Sequence, residues 1–276
     1  MAITASAVNE LRKMTGAGMM DCKKALQETG GDMEAAIDFL RKKGQKISAK
    51  RADRDATEGA VIAKSSADMK TGVIVKLSCE TDFVAKNDDF VALANKLADL
   101  ALEHKPADLA AFNALPFEGS TVSERLVEEI GKIGEKIEVP EYAIVNGEAV
   151  VGYIHAGNKL GVLVQLNKTA NDSIMAAGKD VAMQIAAMNP IAVNEDEVPE
   201  DVKKRELEIG MEQARAEGKP EQILEKIAMG KLNKYFKDNT LLSQPFVKDS
   251  STTVGAMLNG IENGLTVESF NRVALG

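Results

Sequence analysis

An α+β protein is expected from this sequence, on three observations. Short amphipathic helical patterns fill the first 54 residues, two strand-strand-helix patterns follow, and two highly charged helical patterns flank a tight turn at Glu217-Gly218-Lys219-Pro220. The 276 residues are 45% apolar and 28% charged, which is enough apolar material to bury a core without disulfide or metal staples. The 34 Lys and Arg stand against 42 Asp and Glu, a formal charge of −8 that disfavours nonspecific binding to nucleic acid. No apolar run approaches the roughly 18 residues of a membrane span, so no membrane partner is expected. The N-terminal stretch has no apolar region of the signal-peptide kind. Cys22 and Cys79 stand far apart in the chain, which fits unpaired thiols in a reducing compartment; a cytoplasmic protein is expected.

What is scarce also narrows the reading. With two histidines and neither a CxxC nor an HxxxH spacing, a metal centre is not expected. No phosphate-binding GxxxxGK[ST] loop occurs. The one GxG, at Gly16-Ala17-Gly18, lacks a third glycine and follows a helical pattern where a dinucleotide site needs a strand. No catalytic residues and no cofactor are expected, and the chain reads as a binding or regulatory protein rather than an enzyme.

In chain order, Thr4 or Ser6 can cap a first helix with Val8, Leu11 and Met14 on one stripe, broken at Gly16-Ala17-Gly18. A second helix runs from about Met20 to Thr29 and ends at Gly30-Gly31. Asp32 caps a third, with Met33, Ile37 and Leu40 inward and Gly44 closing it. The expected result is a three-helix module over residues 1–54, including a basic linker. This segment holds 11 Lys and Arg against 7 Asp and Glu, so the excess negative charge lies in the remainder. Seven of the cations fall in RKKGQKISAKRADR at 41–54, either as an arm for an acidic or RNA partner or as a solvated linker.

GAVIAKSS (59–66) and GVIVKLSC (72–79) read as a hairpin, followed by a helix from about Asp88 to Glu103. EAVVGYIH (148–155) and VLVQLN (162–167) read as a second hairpin, followed by a helix from about Ser173 to Met188. Their second strands align as GVIVKL at 72–77 and GVLVQL at 161–166, which suggests two related β-β-α subdomains. A helix at about Ser123 to Ile133 and an extended stretch, KIEVPEYAIVNG, separate them. The charged helices, about Glu200 to Ala216 and Glu221 to Lys237, suit an inserted antiparallel helical hairpin. Their apolar sides are Val202, Ile209 and Met211, and Ile223, Ile227, Leu232 and Tyr235. The tail has LLSQPFVKD (241–249) and a short helix around Thr253 to Leu258. The expected boundaries are 1–54, 55–139, 140–190 with 238–276, and 191–237 for the hairpin.

One segment does not pattern as core: Glu80-Thr81-Asp82-Phe83-Val84-Ala85-Lys86-Asn87-Asp88-Asp89, between the first hairpin and its helix. Phe83 is either a buried staple against the following helix or an exposed aromatic anchor for a partner's pocket. A cation site built on Glu80, Asp82, Asp88 and Asp89 lacks the calcium-loop spacing.

GAGMMDCKKAL (16–26), ETDFVAKN (80–87), HAGNKLGVLV (155–164) and LLSQPFVKD (241–249), in this order, closely resemble the bacterial translation elongation factor Ts family. The resemblance covers nearly the whole chain. It implies a guanine-nucleotide exchange factor for the GTPase elongation factor Tu, acting in translation elongation by differential binding. It implies a ubiquitin-associated-like fold for the three-helix module, two related core subdomains and a coiled-coil hairpin. In the family the TDFV segment, here Thr81, Asp82, Phe83 and Val84, inserts beside the GTPase's magnesium site. Residues matching Arg12, Met19 and Met20 touch its nucleotide domain, and the histidine matching His155 lies at the partner surface. A homodimer or a two-to-two complex with the GTPase stays open, and no direct nucleic-acid contact is expected. The competing reading is a nucleic-acid-binding adaptor using 41–54 as its arm; an enzyme with His155 as general acid or base is the poorer one.

Overall fold

The computed structural model describes residues 3–276. In chain order the helices and strands are α1 (Ala5–Thr15), α2 (Met19–Glu28), α3 (Met33–Arg51), β1 (Glu58–Ser65), β2 (Thr71–Cys79), α4 (Asp82–Ala85) and α5 (Asp88–His104). Next come α6 (Leu109–Asn113), β3 (Pro116–Phe117), β4 (Ser120–Thr121), α7 (Val122–Ile133), β5 (Glu138–Asn146), β6 (Ala149–Ile154), β7 (Leu160–Leu166) and α8 (Asp172–Met188). The chain finishes with α9 (Glu200–Ala216), α10 (Glu221–Asn239), β8 (Pro245–Phe246), β9 (Asp249–Thr253), α11 (Val254–Ile261) and β10 (Val267–Ala274). This is a mixed helix-and-strand architecture with small sheets, in the orders β1-β2-β5 and β10-β7-β6 plus two two-stranded ribbons. Among the described residues no helix is long and apolar enough to cross a membrane.

Two compact units divide the chain. The first takes residues up to Ile62, Val75–Ala143 and Ala274–Gly276; the second takes Ala63–Ile74 and Ile144–Val273. The units interleave in sequence, because the tip of the first hairpin, Ala63–Ile74, falls in the second.

In the first unit, Thr4 accepts the Ala7 N–H and Asp32 accepts the Ala35 N–H, capping α1 and α3. Val8, Leu11, Cys22, Ala25, Leu26 and Ala36 form the buried core of the three-helix module, with Met33, Ile37 and Leu40 packed at its margin. Two expectations fail here. Met14 is 59% exposed rather than inward, at the end of α1. Gly44 does not close α3, which continues to Arg51, so most of the expected linker is helix. Gly44 is instead a point of close approach: a Cβ there would lie 2.9 Å from the Val127 carbonyl oxygen of α7, and one on Gly131 would lie 3.1 Å from Gly44 Cα. Two glycines let α3 and α7 cross almost backbone to backbone. A reciprocal capping box of Thr121 and Glu124 starts α7, and Gly134, at φ +83°, ends it.

In the second unit, β6 and β7 pair antiparallel from Ala149↔Leu166 to Ile154↔Gly161. One face of this pair buries Val151, Val162 and Val164 with Ile174, Val181 and Ile185 of α8 and with Leu241, Phe246, Val254 and Leu258 of the tail. Strand β10, which the sequence reading did not anticipate, completes the sheet. The charged helices α9 and α10 do pair, but along Gly210 and Ala214 against Leu224 and Ala228. A Cβ on Gly210 would lie 3.1 Å from Ala228 Cα, while the expected apolar residues Ile209 and Ile223 are exposed. Small residues make the seam because they let two helices approach closely. Of the expected stripe, Leu232 is buried with Val202 and Tyr235 packed against its cluster, whereas Ile209 and Ile223 miss the seam by one position.

Candidate functional site

Strand β2 ends at Cys79, and the chain turns through Glu80 and Thr81 into α4, a single helical turn. Thr81 caps it, its hydroxyl oxygen accepting the Val84 N–H at 3.4 Å. Asp82 at the helix start pairs with Lys86 Nζ at 2.6 Å, which raises the lysine's pKa through that hydrogen bond first. Phe83 projects from this turn and is 84% exposed. The buried-staple reading is therefore overturned: the ring lies in solvent, while Phe90 on α5 supplies the buried aromatic instead.

The loop beneath the ring is held by two carboxylates. Glu135, just past Gly134, accepts the N–H groups of Glu80 and Thr81 at 3.1 and 3.0 Å and the Thr81 hydroxyl at 2.7 Å. Glu80 accepts the Lys136 N–H at 2.6 Å and takes Arg51 Nη1 at 3.1 and 2.8 Å. Cys79 lies underneath, its thiol donating to the Thr81 carbonyl at 3.3 Å, with its pKa pushed up to about 12 by burial first and the Glu135 charge second. Glu80 and Asp82 are thus engaged by cations of the chain itself, which disfavours the reading of them as ligands for a metal ion. Among the described residues no group of three or more His, Cys, Asp and Glu side chains converges to hold one.

Elsewhere in the first unit, Met19 and Met20 open α2 and are 54% and 72% exposed, with Arg12 also exposed on α1. Neither methionine joins the core, because Cys22, Ala25 and Leu26 fill the inward face of this short helix. Three cations of the basic stretch turn to acids of the unit: Arg41 to Glu128, Lys43 to Asp21 and Arg51 to Glu80. In the second unit, exposed His155 follows β6, its Nδ1 lying 3.1 Å from the Tyr153 hydroxyl, and Gly157 at φ +80° shapes the turn after it. The sequence reading missed Glu135 and Arg51. Neither carries a local signal, since each acts on a loop 29 or more residues away.

The family profile described as elongation factor TS matches residues 80–276, beginning at this loop. A protein of Cytophaga hutchinsonii described as elongation factor Ts is 55% identical over 274 residues, covering 99% of each chain. One of Amoebophilus asiaticus with the same description is 54% identical over 276 residues, the full length of both. This chain belongs to the elongation factor Ts family. A third elongation factor Ts, from Christiangramia forsetii, is 51% identical over 99% of each chain. The likeness to elongation factor Ts extends through the N-terminal helices that the profile leaves unmatched.

Proposed function

We propose that the protein is the guanine-nucleotide exchange factor of elongation factor Tu, serving translation elongation in the cytoplasm without catalytic chemistry of its own. The family supports this reading, and the observation that carries it at the atomic level is the exposed Phe83 ring on a braced turn. GDP release from a GTPase is slow because magnesium and the phosphate-binding loop hold the diphosphate through many charge-assisted contacts. An exchange factor binds the emptied conformation more tightly than the loaded one, and that difference drives release.

In this reading Thr81, Asp82, Phe83 and Val84 enter beside the partner's magnesium site. Phe83 wedges its ring between the elements that hold the ion, and Asp82 sets the turn. Arg12, Met19 and Met20 grip the nucleotide domain; two flexible, polarizable methionines suit an adaptable apolar contact. His155 belongs to a separate partner surface. A shift of about 10⁴ in nucleotide affinity requires roughly 5.5 kcal/mol of differential binding. Burying one Phe side chain supplies only about 1.5–3 kcal/mol. Phe83 is therefore insufficient alone, and in this reading a broad interface supplies the remainder. The three-helix module at 1–54, the subdomains at 55–139 and at 140–190 with 238–276, and the α9–α10 hairpin at 191–237 are its components in this reading.

Phe83→Ala is expected to slow factor-stimulated GDP release by about tenfold or more, the rate equivalent of losing 1.4 kcal/mol, with the thermal midpoint barely changed because the ring is 84% exposed. Stopped-flow release of a fluorescent GDP analogue measures it; an unaltered rate removes the wedge from the mechanism.

A further inference from the structure

We infer that Glu135 is a positioning residue for exchange: without touching the GTPase, its carboxylate fixes the direction in which Phe83 points. The inference rests on the exchange reading and deepens it. An exposed ring is not oriented by packing, so something else must hold it. A four-residue helix such as α4 cannot hold itself either, because one isolated turn is unstable in water.

Glu135 supplies the hold. Both oxygens of Glu135 are used: Oε2 receives the backbone N–H groups of Glu80 and Thr81, and Oε1 receives the Thr81 hydroxyl. With its proton committed to Glu135, the Thr81 oxygen presents its lone pairs to the Val84 N–H and caps the turn that carries Phe83. Glu80 answers in the opposite direction, accepting the Lys136 N–H next to Glu135 while Arg51 from α3 anchors its carboxylate. Each glutamate therefore binds the backbone beside the other, and the two segments are cross-braced. Gly134 makes this reachable: its left-handed backbone ends α7 and delivers Glu135 to the loop. Three charge-assisted hydrogen bonds to one carboxylate leave little freedom at Glu80 and Thr81.

A role confined to orientation has a kinetic signature. The factor lacking the brace still docks through its other surfaces, so the concentration giving half-maximal acceleration should barely change. The saturating release rate should fall, because the ring now enters from a disordered loop. The test is stopped-flow release of a fluorescent GDP analogue from elongation factor Tu, titrated with the full-length factor and its variants. Glu135→Ala is expected to lower the saturating rate about tenfold, with the half-maximal concentration within about threefold of the parent.

Glu135→Gln should stay within about threefold of the parent, since its carbonyl oxygen can take the two N–H groups while the Thr81 hydroxyl turns to accept from the amide. Phe83→Ala combined with Glu135→Ala should be no slower than Phe83→Ala alone, because the brace acts only through the ring. If circular dichroism shows Glu135→Ala unfolded, Glu135→Asp, which retracts the carboxylate by one methylene, is read in its place with the same expectation. A parental rate in Glu135→Ala, a further slowing in the double variant, or a change confined to the half-maximal concentration overturns the inference. Slowing by Phe83→Ala with none by Glu135→Ala leaves the wedge standing and removes only the brace. No slowing by Phe83→Ala removes the wedge itself.

Discussion

Phe83 and Cys79 lie four residues apart in opposite environments, one ring in solvent and one thiol sealed below the same loop. The folded state keeps the Cys79 thiol protonated, its pKa displaced from the ordinary 9.0 to about 12. A proton held more tightly in the fold contributes stability that is fully present below pH 9 and is lost as pH rises from 9 toward 12. Burial moves Tyr142 to about 12 in the same direction, so Cys79→Ala should lessen rather than abolish the alkaline loss seen in denaturant titrations. The native thiol should also resist iodoacetamide at pH 8, with alkylation appearing only on unfolding; rapid native labelling would show the loop to be open. The sequence singled out ETDFVAKN but left Phe83 either buried or exposed. The loop that carries the ring is held by Glu135, and a contact across more than 50 residues leaves no trace in the local pattern.

Helices α3 and α7 show how a single glycine can be misread. Inside a helical pattern Gly44 resembles a C-cap, because glycine usually ends helices where the backbone turns left-handed. Here it stays helical and meets Gly131, and the reason lies in another element. Gly44→Val would press a side chain against the Val127 carbonyl oxygen, a backbone atom that cannot swing aside. The expected cost is about 1–3 kcal/mol, read as a lower thermal midpoint, with release activity recovering at low temperature if the fold is kept. An unchanged midpoint would mean that α3 and α7 separate freely. The hairpin seam at Gly210 and Ala228 follows the same logic. Hydrophobic periodicity located α7, α9 and α10 to within a few residues but stopped α3 at Gly44 instead of Arg51, and because it weights large side chains it missed seams made by small ones. It missed β10 for a related reason: in VESFNRVA only Val267 and Val273 are buried, too sparse an alternation to read as a strand.

Across the whole molecule, the two compact units do not follow chain order. Hairpins and helices were legible because their patterns are local; the assignment of the tip at Ala63–Ile74 to the second unit was not. The function proposed is likewise a property of the whole, since one Phe supplies only part of the free energy needed. Coupling between sites is reciprocal, so a factor that loosens GDP must itself be loosened by GDP. Calorimetric titration of the factor into elongation factor Tu should therefore show weaker binding as GDP and magnesium are raised, and equal affinity in both states would leave no driving force for exchange.

The most direct measurement is stopped-flow release of a fluorescent GDP analogue from elongation factor Tu, chased with excess unlabelled GDP in millimolar magnesium. Acceleration that rises with the concentration of this protein, saturates, and is absent with an unrelated small GTPase is the predicted result. A release rate independent of the added, folded protein would contradict the exchange function.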